Sequence, residues 1–288
     1  MKKLLIHLHL YYPEYCTELS QCIESLMPEY NFDLFVTLPK QNSYLSQKIL
    51  ASFPNANIQV VENIGFDIYP FVKVIKSVNL DDYSYVIKLH TKRDINFNMF
   101  SFFKNKWFGG GNWREGLLSF IKSKENFKLV LSYLNNHEQV GMHGGQAYIL
   151  NQFTDDKNAK KSVTKFINRK SYEYVAGAIF IAKAKVFKLL QTSNIDASKF
   201  ETSDQTHQNV QFAHTMERYL GYCVTSNNLE IKDCFTPKIK GCFISIHKYL
   251  SQFIHTYILN IRITNKQKLL IKFCKIPVYN RAIKNKVD

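Results

Sequence analysis

No two of the six cysteines form a Cys-x-x-Cys pair, and none stands at a spacing from histidine that suits zinc. Cys16, Cys22, Cys223, Cys234, Cys242 and Cys274 are scattered, as expected of reduced thiols in a cytosolic protein. No run reaches the roughly 18 uninterrupted apolar residues of a membrane span. The opening Met-Lys-Lys-Leu-Leu-Ile-His-Leu-His-Leu has the outline of a leader, but His7 and His9 interrupt it and Glu14 follows soon after. With no small-residue cleavage site behind it, it reads as a first strand. Internal repeats and low-complexity tracts are absent, which excludes solenoids. Acidic residues are scarce, 23 against 38 Lys and Arg, for a net charge of +15. The imbalance is local. Residues 236–288 hold eleven Lys and Arg against Asp288 alone, so the preceding 235 residues carry only +5.

A chain of 288 residues with 45% apolar and 14% aromatic content can bury a substantial core. Up to about residue 150, strand-like runs alternate with helix-like ones. The strands are expected at Lys3–Leu10, Phe32–Leu38, Ile58–Glu62, Tyr83–Leu89 and Gln139–His143. Between them, apolar residues at spacings of three and four predict helices at Thr17–Met27, Ser43–Ser52, Ile68–Ser77 and Glu115–Leu134. This pitch implies βαβ units, an α/β class and a mainly parallel sheet with flanking helices. An aromatic-rich break at Phe100–Trp113 ends in three glycines. Tyr174–Ala182 reads as one buried strand leading into a helix. The division expected is a domain over 1–235 and a tail over 236–288. In that tail Phe243, Ile246, Leu250, Phe253, Ile254, Tyr257, Ile258 and Ile261 follow helical spacing and basic residues follow them. A basic amphipathic helix of this kind suits an anionic membrane surface, or else packs on the preceding domain with its basic face solvated. A nucleic-acid face is not expected, since no recognition module accompanies the charge.

Two segments carry the chemistry. Asn63-Ile-Gly65-Phe-Asp67 and Lys88-Leu-His90-Thr91-Lys92-Arg93 each stand where a strand gives way to a loop, the edge at which open α/β sheets bind ligands. Gly65 allows a sharp exit and close backbone approach. Asp67 either meets a ligand or caps the helix that follows. At the end of the fourth strand, where many sugar transferases place an acidic pair for a divalent metal, stand His90, Thr91 and Lys92. Cations and hydroxyls there would neutralise a leaving diphosphate directly, without metal or other cofactor. Trp113-Arg114 would stack on a base or grip phosphate, or else form ordinary packing with a surface charge. His7 and His9 share one face of the first strand, as metal ligands or as satisfied core histidines. A polyhydroxylated, phosphate-bearing ligand fits this set, which points to a nucleotide-activated sugar. Glycosyl transfer to a hydroxyl needs a base for the acceptor proton, and Glu201, Asp204, His214 and Glu217 are the candidates. Their residue types do not choose among them, and a structural His-Glu-Arg network holding the helix is the alternative reading of His214, Glu217 and Arg218.

In this order the motifs are specific. His9-Leu-Tyr11-Tyr12, Asn63-x-Gly65-x-Asp67-x-x-Pro70-Phe71, Lys88-x-His90-Thr91-Lys92, Trp113-Arg114, Gly141-Met142, Ala176-Gly177-x-x-Phe180 and Ala213-His214-x-x-Glu217-Arg218 all appear. Over about residues 4–225 the chain resembles the rhamnan synthesis F family of bacterial polysaccharide glycosyltransferases. The resemblance implies a GT-A-like fold and transfer of a sugar, often rhamnose from a dTDP donor, into cell-surface glycan or lipopolysaccharide. Asn209-Val210 stands where that family commonly carries Asp-Gly. The expectation is therefore a cytoplasmic enzyme, peripheral on the inner face of a bacterial plasma membrane, acting on a lipid-linked or lipid-anchored glycan. In it Asn63, Gly65, Asp67, His90, Thr91, Lys92 and Arg114 would bind the donor. A non-catalytic glycan-binding or scaffold subunit is the alternative.

Overall fold

The computed structural model describes residues 3–91, 118–144, 149–153, 171–175, 177–200, 212–232, 259–263, 268–273 and 276–282. The chain divides into two compact units, Met1–Phe235 and Thr236–Asp288. In the first unit the strands are β1 (Lys3–His9), β2 (Phe32–Leu38), β3 (Asn57–Val60), β4 (Tyr83–His90), β5 (Val140–Gly144), β6 (Ile149–Phe153), β7 (Ser171–Val175), β8 (Phe180–Lys183) and β9 (Glu230–Lys232). Among the described residues the α-helices are α1 (Cys16–Glu24), α2 (Ser43–Ser52), α3 (Ile68–Ser77), α4 (Lys124–Asn136), α5 (Lys188–Gln191) and α6 (Phe212–Thr225).

Seven strands form one sheet in the order β3-β2-β1-β4-β8-β5-β9, and β8 alone runs against the rest. This is the mainly parallel α/β sheet that the alternating pattern predicts. Both faces are covered. Leu4, Ile6 and Leu8 of β1, with Ile87 and Leu89 of β4, pack beneath α1, α2 and α4. Leu5 and Val86 face the other way, onto Phe71 of α3 and Met216 of α6. Because side chains alternate along a strand, the second face also receives His7, His9, Lys88 and His90. Parallel pairing places His7 beside Lys88 and His9 beside His90.

The chain leaves β1 towards β2 and β3 on one side, then returns through α3 to β4 on the other. The order therefore reverses between β1 and β4, and in such sheets ligands bind at the carboxyl ends of these two strands.

Three expectations are corrected. Tyr174–Ala182 is not one strand: Gly177 (φ 85°) and Ala178 (φ 48°) turn the chain between β7 and β8. Helix α4 starts at Lys124, where Ser123 accepts from the Asn126 N–H at 3.2 Å and caps it. The third concerns the tail. Its described residues form the strands β10 (Leu259–Ile263), β11 (Lys268–Phe273) and β12 (Ile276–Ala282), paired antiparallel, and no helix. Leu259-Asn-Ile-Arg-Ile alternates apolar and polar with period two, and its β-branched residues favour a strand. The helical spacing came mostly from residues 243–258, which lie outside the described residues, as does Phe100–Trp113.

Among the described residues no helix is long and apolar enough to cross a membrane. Cys16, Cys22 and Cys223 are buried free thiols, and burial raises Cys22 to about 11 and Cys223 to about 12. They pack as small apolar groups rather than as nucleophiles.

Candidate functional site

A cleft of about 410 Å³ opens at the carboxyl edge of β1 and β4. Five segments build it. The end of β1 and its loop contribute His9, Tyr11 and Tyr12; the loop after β3 and the start of α3 contribute Phe66, Asp67 and Ile68; the end of β4 contributes His90, followed by Thr91. The turn between β7 and β8 supplies Gly177 and Ala178, and the first turns of α6 supply Ala213, His214 and Glu217.

The loop after β3 is shaped by two successive left-handed residues, Gly65 (φ 60°) and Phe66 (φ 54°). At Gly65 a side chain is doubly barred, since a Cβ would come within 2.3 Å of the Phe200 ring. The Gly65 carbonyl accepts from the N–H groups of Ile68 and Tyr69 and so starts α3. Asp67 occupies the cap position of that helix, yet its side chain makes no cap bond. It turns instead to the sheet. Lys88 Nζ donates to Asp67 Oδ2, and His90 Nδ1 lies 3.3 Å from the same oxygen.

Lys88 is the anchor of this arrangement. Its side chain is 0% exposed, whereas Asp67 keeps 20% towards the cleft. Nζ also donates to the Ala178 carbonyl at 3.0 Å and sits 5.7 Å from the Phe71 ring centroid. A lysine so placed must be paired, because burying a lone charge is far costlier than burying a pair. One ammonium thus ties the strained turn before α3 to the strained turn before β8. Glu217 holds the second turn from its other side, its Oε1 accepting from Gly177 N–H at 2.6 Å.

The histidines continue this polar layer inward. His9 Nδ1 and His7 Nε2 each lie 2.9 Å from the hydroxyl of Thr37. One hydroxyl has one proton to give and two lone pairs to offer, so at least one of the two rings donates to it. Burial holds His7 well below the ordinary histidine range, and the neighbouring Lys88 cation adds to the effect. Burial likewise lowers His9 to about 4, against an opposing pull from Asp67. Both rings are therefore neutral near pH 7, alongside the Lys88 cation. At the rim the Thr91 hydroxyl accepts from the N–H groups of Tyr11 (3.0 Å) and Tyr12 (2.8 Å), which fastens the β1 loop to the tip of β4. Its own O–H can still donate.

Of the residues singled out from sequence, Asp67, His90, Thr91, His214 and Glu217 meet in one cleft. Asn63 and Gly65 belong to the same loop but do not line it. Lys92, Arg114, Glu201 and Asp204 lie outside the described residues. Lys88, Tyr11, Tyr12 and Phe66 were not among the expected site residues. Lys88 had a legible signal, since it stands two residues before His90 on a strand and so shares its face. Among the described residues no group of three or more His, Cys, Asp or Glu side chains is placed to hold a metal ion.

These features define an α/β protein with a cleft at the reversal point of a mainly parallel sheet. The chain belongs to the rhamnan synthesis protein F family, whose model matches residues 1–229. Two Xanthomonas campestris pv. campestris proteins, each named "Uncharacterized protein WxcX", are 24% and 23% identical to it over 188 residues. That match covers 59% of this chain and 24% of theirs, so the chain spans about a quarter of the length of these curated relatives. Among solved structures, S. aureus TarS 1-349 in complex with UDP-GlcNAc is 12% identical with a TM-score of 0.40, over 76% of this chain and 54% of that one. A structure of S. aureus TarS is 11% identical with a TM-score of 0.37, over 88% of this chain and 40% of that one.

Proposed function

We propose that the chain is a nucleotide-sugar-dependent glycosyltransferase of GT-A-like fold, acting in the assembly of a cell-surface polysaccharide or lipopolysaccharide. The observation that carries this reading is the cleft between β1 and β4, where Asp67, His90, Thr91, His214 and Glu217 converge. Its volume of about 410 Å³ falls in the range of small-molecule sites. Membership of the rhamnan synthesis protein F family supports the polysaccharide setting and makes an activated rhamnose the first donor to test.

In this reading Asp67 accepts hydrogen bonds from the nucleotide or sugar, with Asn63 and Gly65 shaping its loop. His90, Thr91, Lys92 and Arg114 meet the diphosphate as the glycosidic bond to it breaks, and the charge that develops there is neutralised by side chains rather than by a divalent metal. The tip of β4 supports this, because it carries Lys88, His90, Thr91, Lys92 and Arg93 and no acidic pair. One of Glu217, His214, Glu201 or Asp204 takes the proton of the attacking acceptor hydroxyl. The acceptor is a lipid-linked or lipid-anchored glycan at the inner face of the plasma membrane, and the basic unit Thr236–Asp288 keeps the enzyme near it.

The test is release of free nucleotide from a panel of UDP-, dTDP-, GDP- and CMP-sugars. We expect turnover of one nucleotide class, unchanged by a chelator, and about 100-fold slower in Lys92→Ala. Activity lost to the chelator and restored by manganese would refute the metal-free step. A glycan-binding or scaffold subunit, kept open by Asn209-Val210 in place of Asp-Gly, would release no nucleotide from any donor.

A further inference from the structure

Phe66 is strained and exposed at once. Its φ of 54° lies in the left-handed region that bulky side chains avoid, and yet 39% of the residue stays exposed at the cleft. Glycine or asparagine would hold the same turn with less strain. Local structure therefore accounts for Gly65 but not for an aromatic ring at the next position. The ring lies at the cleft, 6.0 Å from the His214 ring and edge-on to it. Next to it in sequence is Asp67, and the same cleft is lined by Glu217 and by Tyr11, itself 41% exposed.

An apolar ring set among carboxylates and an imidazole matches a particular kind of ligand. A pyranose has a face of C–H groups that packs on an aromatic ring, while its rim of hydroxyls donates to carboxylates. We propose that Phe66 is the platform on which a pyranose ring stacks, with Asp67 on one side and His214 and Glu217 on the other. This rests on the glycosyltransferase reading and deepens it, because it assigns the sugar's place in the cleft. The sugar is either the one carried by the donor or the terminal unit of the acceptor.

The test compares wild type, Phe66→Gly and Phe66→Tyr on three probes. These are the bare nucleoside diphosphates, the matching nucleotide sugars, and a set of methyl glycosides followed by saturation-transfer NMR. Phe66→Gly relieves the backbone strain but gives up the covered part of the ring and adds chain entropy, so its melting temperature should stay close to that of wild type. We expect it to bind bare nucleotide as wild type does but to lose about tenfold in affinity for a sugar-bearing probe, with Phe66→Tyr restoring it. Loss on the nucleotide sugar assigns the donor sugar, and loss on the methyl glycoside assigns the acceptor. Unchanged binding of every probe by Phe66→Gly overturns the platform and leaves the proposed function standing. Equal weakening of bare nucleotide also overturns it, since the ring would then serve the base. If wild type binds glycosides through Phe66 but no nucleotide, the platform stands and the glycosyltransferase reading falls. If wild type binds neither, both fall.

Discussion

At the scale of single residues, Lys88 and Asp67 make the sharpest stability argument. Replacing Lys88 with Met leaves a largely buried carboxylate without its cation, which should cost about 2–4 kcal/mol in urea unfolding. The double replacement Lys88→Met with Asp67→Asn removes both charges and should recover most of that loss. A buried pair is weak evidence for stability, so if the double variant folds well yet binds no nucleotide sugar, the pair serves the ligand. Histidine burial sets the acid sensitivity. His9 and His143 are both lowered to about 4 by burial, so between about 4 and 6.5 the unfolded chain holds more protons than the folded one. Their stabilising effect is fully present above about 6.5 and is lost as pH falls towards 4, by roughly 3 kcal/mol for each histidine. Denaturant midpoints at pH 7, 5.5 and 4.5 should fall in that order, and His143→Gln should flatten the slope. Sequence showed that His90, Thr91 and Asp67 stand at strand ends. It could not show that Lys88 lies beneath Asp67, because that pairing joins residues 21 apart through the sheet register.

At the scale of elements, most of the first unit was legible because periodicity and punctuation agree. Phe32–Leu38, Ser43–Ser52 and Ile68–Ser77 fall where their patterns place them. The failure at Tyr174–Ala182 is instructive. Nine mostly apolar residues read as one buried strand, yet the backbone at Gly177 and Ala178 reverses it and aims their N–H and C=O groups at Glu217 and Lys88. Only the partners 40 and 90 residues away make that turn profitable, and local pattern does not contain them. Gly141 and Gly144 on β5 are set by packing. A Cβ at Gly141 would meet Val224 and Leu229, and one at Gly144 would meet Val175, so they admit neighbours of the fold. Gly221 gives a test at this scale. Glycine within a helix is ordinarily improved by alanine, but here a Cβ would stand 2.1 Å from the Glu173 carbonyl. Gly221→Ala should therefore destabilise by about 1–3 kcal/mol. It should also weaken ligand binding, because α6 carries His214 and Glu217.

At the scale of the whole molecule, the charge asymmetry was plain in the sequence and the form of the second unit was not. Eleven basic residues against one acidic residue lie in Thr236–Asp288, whose described part is the antiparallel strands β10–β12. Helical spacing belongs mostly to residues 243–258, outside the described residues, and gives way to period-two alternation from Leu259. The proposed membrane role does not depend on a helix, because attraction of basic groups to anionic lipid needs only charge near the surface. The full chain should sediment with vesicles containing phosphatidylglycerol, not with purely zwitterionic ones, and should release in high salt. What occupies the cleft at the reversal point of the sheet decides the function. A crystal grown with the donor that is turned over tests this most directly. The diphosphate should lie within hydrogen-bonding reach of His90, and the sugar over the Phe66 ring. Phosphates lodged elsewhere on the molecule, with His90 and Asp67 untouched, would contradict the glycosyltransferase reading.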